Sequence, residues 1–153
     1  MQDRRLGQVH YIKEKTSIMS QRILLLYTPL AHGASYRLEE AVAKVVPEQT
    51  TEVVHTAKDL VQRLRRPFNG LEVAVVLAAG REKLREIQSL SQMLERLRLI
   101  LILPDASPQT IAQGHRLRPR YLSNIHGDFQ DVAAVLRKML ALPEDHHGGA
   151  FSF

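Results

Sequence analysis

Residues 71–79 read LEVAVVLAA, and this stretch decides the fold. Glu72 aside, the run is apolar with no polar alternation, the mark of a strand covered on both faces. Pro67, Asn69 and Gly70 stand in front of it and break whatever precedes. A strand buried on both faces needs helices above and below, so the flanking sequence should supply amphipathic helices and further strands.

Upstream it does. Residues 22–27, RILLLY, form a second continuous apolar run stopped by Thr28-Pro29. Gly33-Ala34-Ser35 then opens a helix, with Ser35 the expected N-cap. Leu38, Ala41, Val42 and Val45 repeat at i, i+3, i+4, i+7 along it, and Pro47 ends it. A short strand is expected near 51–55 and a helix over 57–64, with Leu60, Val61 and Leu64 on one side.

Downstream, residues 82–98 carry Leu84, Ile87, Leu94 and Leu97 at helical spacing and read as one helix. Residues 99–103, LILIL, are a strand stopped by Pro104-Asp105. Ser107-Pro108 supplies an N-cap and a first helical residue for a short helix ending near Gly114. Residues 120–123 read as a short strand. Asp128 and Asp131 open a last helix, where carboxylates suit the positive end of the helix dipole, and Val132, Val135, Leu136 and Met139 form its buried stripe. Strand and helix alternate five times. The economical solution is an α/β fold, a doubly wound five-stranded parallel sheet of order 2-1-3-4-5. The pattern gives a single domain over 21–142, a mobile arm over 1–20 and a flexible tail over 143–153.

Composition removes several classes. None of the 153 residues is cysteine, which excludes disulfides, thiolate metal sites and a cysteine nucleophile. No apolar run approaches the ~18 residues of a membrane helix. The first residues carry Lys13, Glu14 and Lys15 where the apolar core of a signal peptide would end, so a cytoplasmic location is expected. Lys and Arg number 21 against 16 Asp and Glu, a net charge of +5. Along the chain this excess is spread thinly; the tightest groups are Arg63, Arg65, Arg66 and Arg116, Arg118, Arg120. Aromatics make up 5% and Trp is absent, so the stacking platforms of many nucleic-acid binders are missing and nucleic acid is not the expected partner.

The order and lengths of these elements resemble a response-regulator receiver domain. TAKDLVQRLRRPFNGLEVAVVLAA resembles the receiver's second helix and third strand, LILILPDAS its fourth strand and following loop, and PRYLSN its fifth strand. That family places an acidic pair after the first strand for Mg²⁺ and a phosphoryl-accepting Asp at the end of the third. A hydroxyl follows the fourth strand and a Lys the fifth; metal and cation offset charge on the transferring group. Here the matching positions read Tyr27-Thr28-Pro29-Leu30, Ala78-Ala79-Gly80, Leu103-Pro104 and Ser123-Asn124-Ile125. The resemblance with these departures implies a pseudo-receiver: the scaffold without aspartyl phosphorylation, acting through protein contacts in signalling or regulation.

Ligands in such sheets bind beyond the carboxyl ends of the strands. Thr28, His32, Arg81, Asp105, Ser123, Asn124 and His126 are the polar groups expected there, either lining a small pocket or capping helices and bracing loops. Seven histidines invite a metal reading, but no HExxH or i, i+4 His pair occurs, and no metal is expected. The stretch YTPLAHGAS lacks the phosphate loop with which flavodoxins, of the same topology, hold their cofactor. No G-x-G-x-x-G or P-loop is present either, so no cofactor is expected. The docking face of receivers falls at about 108–140, where Arg116, Arg118, Arg120 and Tyr121 are of the types enriched at interfaces. The expected partner is a protein, with a second copy of the chain among the options. A non-catalytic role is expected; the alternatives are a small-molecule sensor using the strand-end pocket and an enzyme using His32, Asp105 or His126.

Overall fold

The computed structural model describes residues 22–141, so the expected arm and tail lie outside the described residues. Five strands form one sheet of order β2-β1-β3-β4-β5, every neighbouring pair parallel. They are β1 (Leu24–Tyr27), β2 (Thr51–Val54), β3 (Val73–Leu77), β4 (Arg98–Leu103) and β5 (Tyr121–Asn124). The helices are α1 (Gly33–Ala43), α2 (Ala57–Arg65), α3 (Arg81–Gln88), the single turn α4 (Ser91–Leu94), α5 (Pro108–His115) and α6 (Gln130–Met139). A 3₁₀ turn at Glu48–Thr50 leads into β2.

Period-two alternation along the strands divides the core in two. Leu24, Leu26, Val73, Val75, Ile100 and Ile102 face α1 and α6, packing on Leu38, Val42, Phe129, Val132 and Leu136. Leu25, Tyr27, Ala74, Val76, Leu99 and Leu101 face the other way, onto Leu60, Leu64, Leu84, Ile87 and Leu94. All five residues of β3 are buried, as expected of the central strand in a doubly covered sheet.

Two local expectations are corrected. Ser35 does not cap α1; His32 does, its ring Nδ1 accepting from the backbone N–H of Ala34, while the Ser35 hydroxyl is buried and donates to the Pro29 carbonyl at 2.6 Å. The helix expected over 82–98 is interrupted: α3 stops at Gln88, a turn intervenes, and β4 begins at Arg98. The apolar spacing survives the break because α3, the turn and α4 all cover the same side of the sheet. The helix expected to end near Gly114 ends at His115, with Gly114 in its last turn. A Cβ there would meet Leu103 Cδ2 at 2.9 Å and Leu122 Cδ2 at 3.3 Å, so glycine lets the helix lie close on β4 and β5.

Candidate functional site: the carboxyl rim and the amino end of the sheet

Parallel strands send all their carboxyl ends to one rim, so the loops after β1, β3, β4 and β5 meet there. Thr28 follows β1 and is fully buried. Its backbone N–H continues the sheet by donating to the Val54 carbonyl, and its hydroxyl turns back to donate to Glu39 on α1 at 2.6 Å. His55, past the end of β2, donates through Nδ1 to the Thr28 carbonyl at 2.8 Å. The residues after β1 are thus held from both sides.

After β4, Asp105 organises its own loop. Its Oδ1 accepts from the Ser107 backbone N–H at 2.9 Å, and its Oδ2 accepts from Arg81 Nε at 3.3 Å. Arg81 also reaches the Ser107 hydroxyl. Ser107 caps α5 by accepting from the Thr110 N–H, as the Ser-Pro pair predicted. These donors, the Ser107 backbone N–H first and then the Thr110 and Ser107 hydroxyls, hold the Asp105 carboxyl far below the usual carboxylate range.

After β5 the polar groups also turn to local work. Asn124 Oδ1 accepts from the His126 N–H at 2.9 Å, and Arg37 on α1 donates to the Ile125 carbonyl at 2.8 Å while lying over the Phe129 ring. Ser123 faces α6, where its hydroxyl donates to Asp131 Oδ2 at 2.7 Å. Of the seven rim residues singled out from sequence, Arg81 is joined to Asp105 and Asn124 to the backbone of His126; Thr28, His32 and Ser123 each bond elsewhere. Among the described residues no group of three or more His, Asp or Glu side chains is placed to hold a metal ion.

A feature that sequence reading missed lies at the opposite end. Since every strand is parallel, each helix carries its carboxyl end to the amino end of the sheet. Arg63 and Arg65 occupy the last turn of α2, Arg137 and Lys138 the last turn of α6, and Lys44 and Arg116 the C-caps of α1 and α5. Arg118 and Arg120 are in the loop leading to β5, and Arg98 begins β4. Cations scattered along the chain are collected by the topology onto one face. Part of the signal was present in the periodicity, since Lys44, Arg63, Arg65, Arg116, Arg137 and Lys138 fall near predicted helix ends.

This face is not uniform. Toward β2, Arg63 is buried and pairs with Glu52 at 2.8 Å while donating to the Pro67 and Phe68 carbonyls. Beside it a cleft of about 580 Å³ is lined by Glu52, Val54, Asp59, Gln62, Arg63, Arg65 and Arg66. In the middle, Arg98 pairs with Glu72 at 3.0 Å. Toward β5, Arg116, Arg118 and Arg120 are exposed. Tyr121 differs from these arginines: it is half-buried, with its hydroxyl committed to Asp131 Oδ2 at 2.9 Å.

No protein-family model matches the chain, and no curated protein matches it. Solved structures do. A signal receiver domain of an HD domain-containing protein from Pseudomonas fluorescens Pf-5 aligns with a TM-score of 0.59 at 17% identity, over 79% of this chain and 96% of that one. A response regulator from Thermotoga maritima aligns with a TM-score of 0.57 at 10% identity, over 78% of this chain and 98% of that one. A protein described as pilus assembly-related, from Burkholderia pseudomallei K96243, aligns with a TM-score of 0.55 at 19% identity, over 82% and 94% respectively. Among the described residues no helix is long and apolar enough to cross a membrane. Strand order, two-sided helix cover and these alignments give the chain the flavodoxin-like fold of receiver domains.

Proposed function

We propose that the chain is a pseudo-receiver, a signalling or regulatory module that works by binding protein and is not phosphorylated on aspartate. The observation that carries this reading is the chemistry at the ends of β1 and β3. Tyr27-Thr28-Pro29 and Ala78-Ala79-Gly80 stand where a receiver needs a metal-binding pair and a nucleophilic carboxylate. Phosphoryl transfer needs an acceptor oxygen and cations beside it, and alanine and glycine side chains supply neither. Two carboxylates near this rim, Glu39 and Asp105, are engaged by Thr28 and by Arg81 with Ser107.

Without a phosphoryl trigger, any change of state must come from a partner that binds one conformation better than another. Cationic surface outside the rim supports that role, with Arg116, Arg118 and Arg120 as the docking residues. The test is incubation of the full chain with acetyl phosphate and Mg²⁺, followed by intact-mass measurement at short and long times. The mass stays that of the unmodified chain. A phosphoryl adduct that vanishes when one Asp or Glu is made the amide overturns the proposal.

A further inference from the structure

We infer that the β5 side of the sheet's amino end is the docking patch, and that its partner is a short acidic protein segment. The patch joins two elements far apart in sequence. Arg116, Arg118 and Arg120 come from the end of α5 and the loop into β5; Arg137 and Lys138 come from the last turn of α6. Two contacts bring these elements together: Arg98 Nη1 donates to the Met139 carbonyl at the end of α6, and the Arg120 N–H donates to the Leu99 carbonyl on β4. None of the five cations forms an ion pair with a described carboxylate; elsewhere on this end Arg63, Arg66 and Arg98 do, and Lys44 and Arg65 stand unpaired but apart from one another at the ends of α1 and α2.

Several features select the partner. Four of the five cations are arginines, whose planar fork matches carboxylates in bidentate pairs. The large exposed apolar residues of the described chain are Leu30 and Tyr36, beyond the carboxyl end of β1, and Val53 on β2. The patch therefore has nothing to insert into a bilayer and no ring to stack on a base. Between the β5 side and the β2 side, Glu72 is paired with Arg98 and Glu95 is followed by Arg96, so the middle of this end carries no net positive charge and offers a long continuous polyanion no attraction there. A segment short enough to stay on the β5 side does not cross it. Arg118 holds a left-handed backbone, φ 52°, which fixes the course of the loop between Arg116 and Arg120.

This inference rests on the docking-module reading and narrows it to one surface and one partner chemistry. The test uses the full chain and three probes: a fluorescent decaglutamate peptide, a 20-base-pair DNA duplex, and phosphatidylcholine vesicles containing phosphatidylserine. Anisotropy and co-sedimentation are followed from low to physiological salt. The peptide binds more tightly than the other two, and its affinity falls with salt. Both Arg116→Glu/Arg118→Glu and Arg137→Glu/Lys138→Glu weaken it about tenfold or more, roughly 1.4 kcal/mol. Arg65→Glu/Lys44→Glu, which makes the same charge change at the β2 side, weakens it less than twofold. Equal loss in all three variants overturns the inference, because the peptide then senses only net charge. Tighter binding of the duplex or of the vesicles assigns the patch to nucleic acid or lipid and overturns it too. A tighter peptide complex in Glu144→Gln/Asp145→Asn assigns the patch to the chain's own carboxylates instead. Phosphoryl-adduct formation with localised peptide binding intact would sink the pseudo-receiver reading and leave the patch standing, so the two failures are distinguishable.

Discussion

Asp131 is the residue whose removal should reveal most about how β5 is held. Its Oδ2 accepts from the Tyr121 hydroxyl at 2.9 Å and from the Ser123 hydroxyl at 2.7 Å, tying the first turn of α6 to the edge strand. Hydrogen bonds to an ionised acceptor contribute ~1.5–3 kcal/mol each. All three residues are half-buried, which puts the pair at the lower end of that range, and the carboxylate's position at the helix N-terminus adds ~0.3–1 kcal/mol. Asp131→Ala should therefore cost about 3–4 kcal/mol. For a chain of this size that lowers Tm by about 9–12 °C.

Urea denaturation of a double-mutant set checks the assignment. In a Tyr121→Phe/Ser123→Ala background, Asp131→Ala should cost under about 1 kcal/mol, because only the helix-dipole share remains. The same loss in both backgrounds refutes the reasoning: the carboxylate would then stabilise α6 alone and not the strand. A second readout is the Tyr121 phenol. Burial first, and then the hydrogen bond and charge of Asp131, raise its pKa above the ordinary 10.0. An acid whose folded pKa is raised stabilises the fold below its unfolded pKa, and that stability is lost as pH climbs past about 10. Asp131→Ala should bring the phenol's ultraviolet titration back toward the ordinary value.

Three further outcomes follow from the contacts described. Arg63→Met leaves Glu52 only the longer Arg66 contact, strips the Pro67 and Phe68 carbonyls of their donor, and should cost about 2–4 kcal/mol in urea denaturation; a loss below 1 kcal/mol means that water replaces the guanidinium freely. Ile100→Ala, at a fully buried position of β4, should lose about 3–4 kcal/mol, and a smaller loss measured the same way would indicate that the two helix layers collapse into the cavity. Asp105 carries a lowered pKa, so its contribution is present above the ordinary 3.8 and is lost as pH falls through and below that value. Acid titration of stability should accordingly be shallower in Asp105→Asn than in the parent chain.

The fold was legible because apolar runs without alternation can be satisfied only by a sheet covered on both faces. LEVAVVLAA, RILLLY and LILIL became β3, β1 and β4, the three inner strands. What failed was local. Ser35 has the chemistry of an N-cap, yet the chain folds so that His32 sits at the cap and the Ser35 hydroxyl reaches the Pro29 carbonyl. The interruption between α3 and α4 was invisible because the leucine spacing crosses it unchanged. Phe129 could not be foreseen as the residue before α6, for it holds φ 63° while its ring is fully buried; tertiary packing overrides its aversion to that backbone. At the rim, sequence offered polar residues beside the strand ends but not their partners. Thr28 finds Glu39 and Ser123 finds Asp131 across elements whose relative rotation no local pattern records.

Charge shows the same boundary between pattern and placement, with a consequence for mechanism. A net charge of +5 spread over the chain argues for nothing in particular. Helix dipoles favour Lys and Arg at helix carboxyl ends, and in a parallel α/β sheet every such end points one way. Local capping preferences therefore sum, without any local signal of a site, into a cationic face. Part of that face is neutralised by Glu52 and Glu72, and the part beside β5 is not. The buried Arg63–Glu52 pair serves stability, but at the exposed positions stability asks for little, because an exposed ion pair contributes ~1 kcal/mol or less and its absence costs little. An unneutralised cluster of arginines is costly chiefly in mutual repulsion, and repulsion is relieved when an anionic segment arrives. The rim, where a receiver would do its chemistry, has its polar groups engaged in local hydrogen bonds; the β5 side of the amino end has cations with no ion pair among the described residues, which is what an acidic docking segment would require.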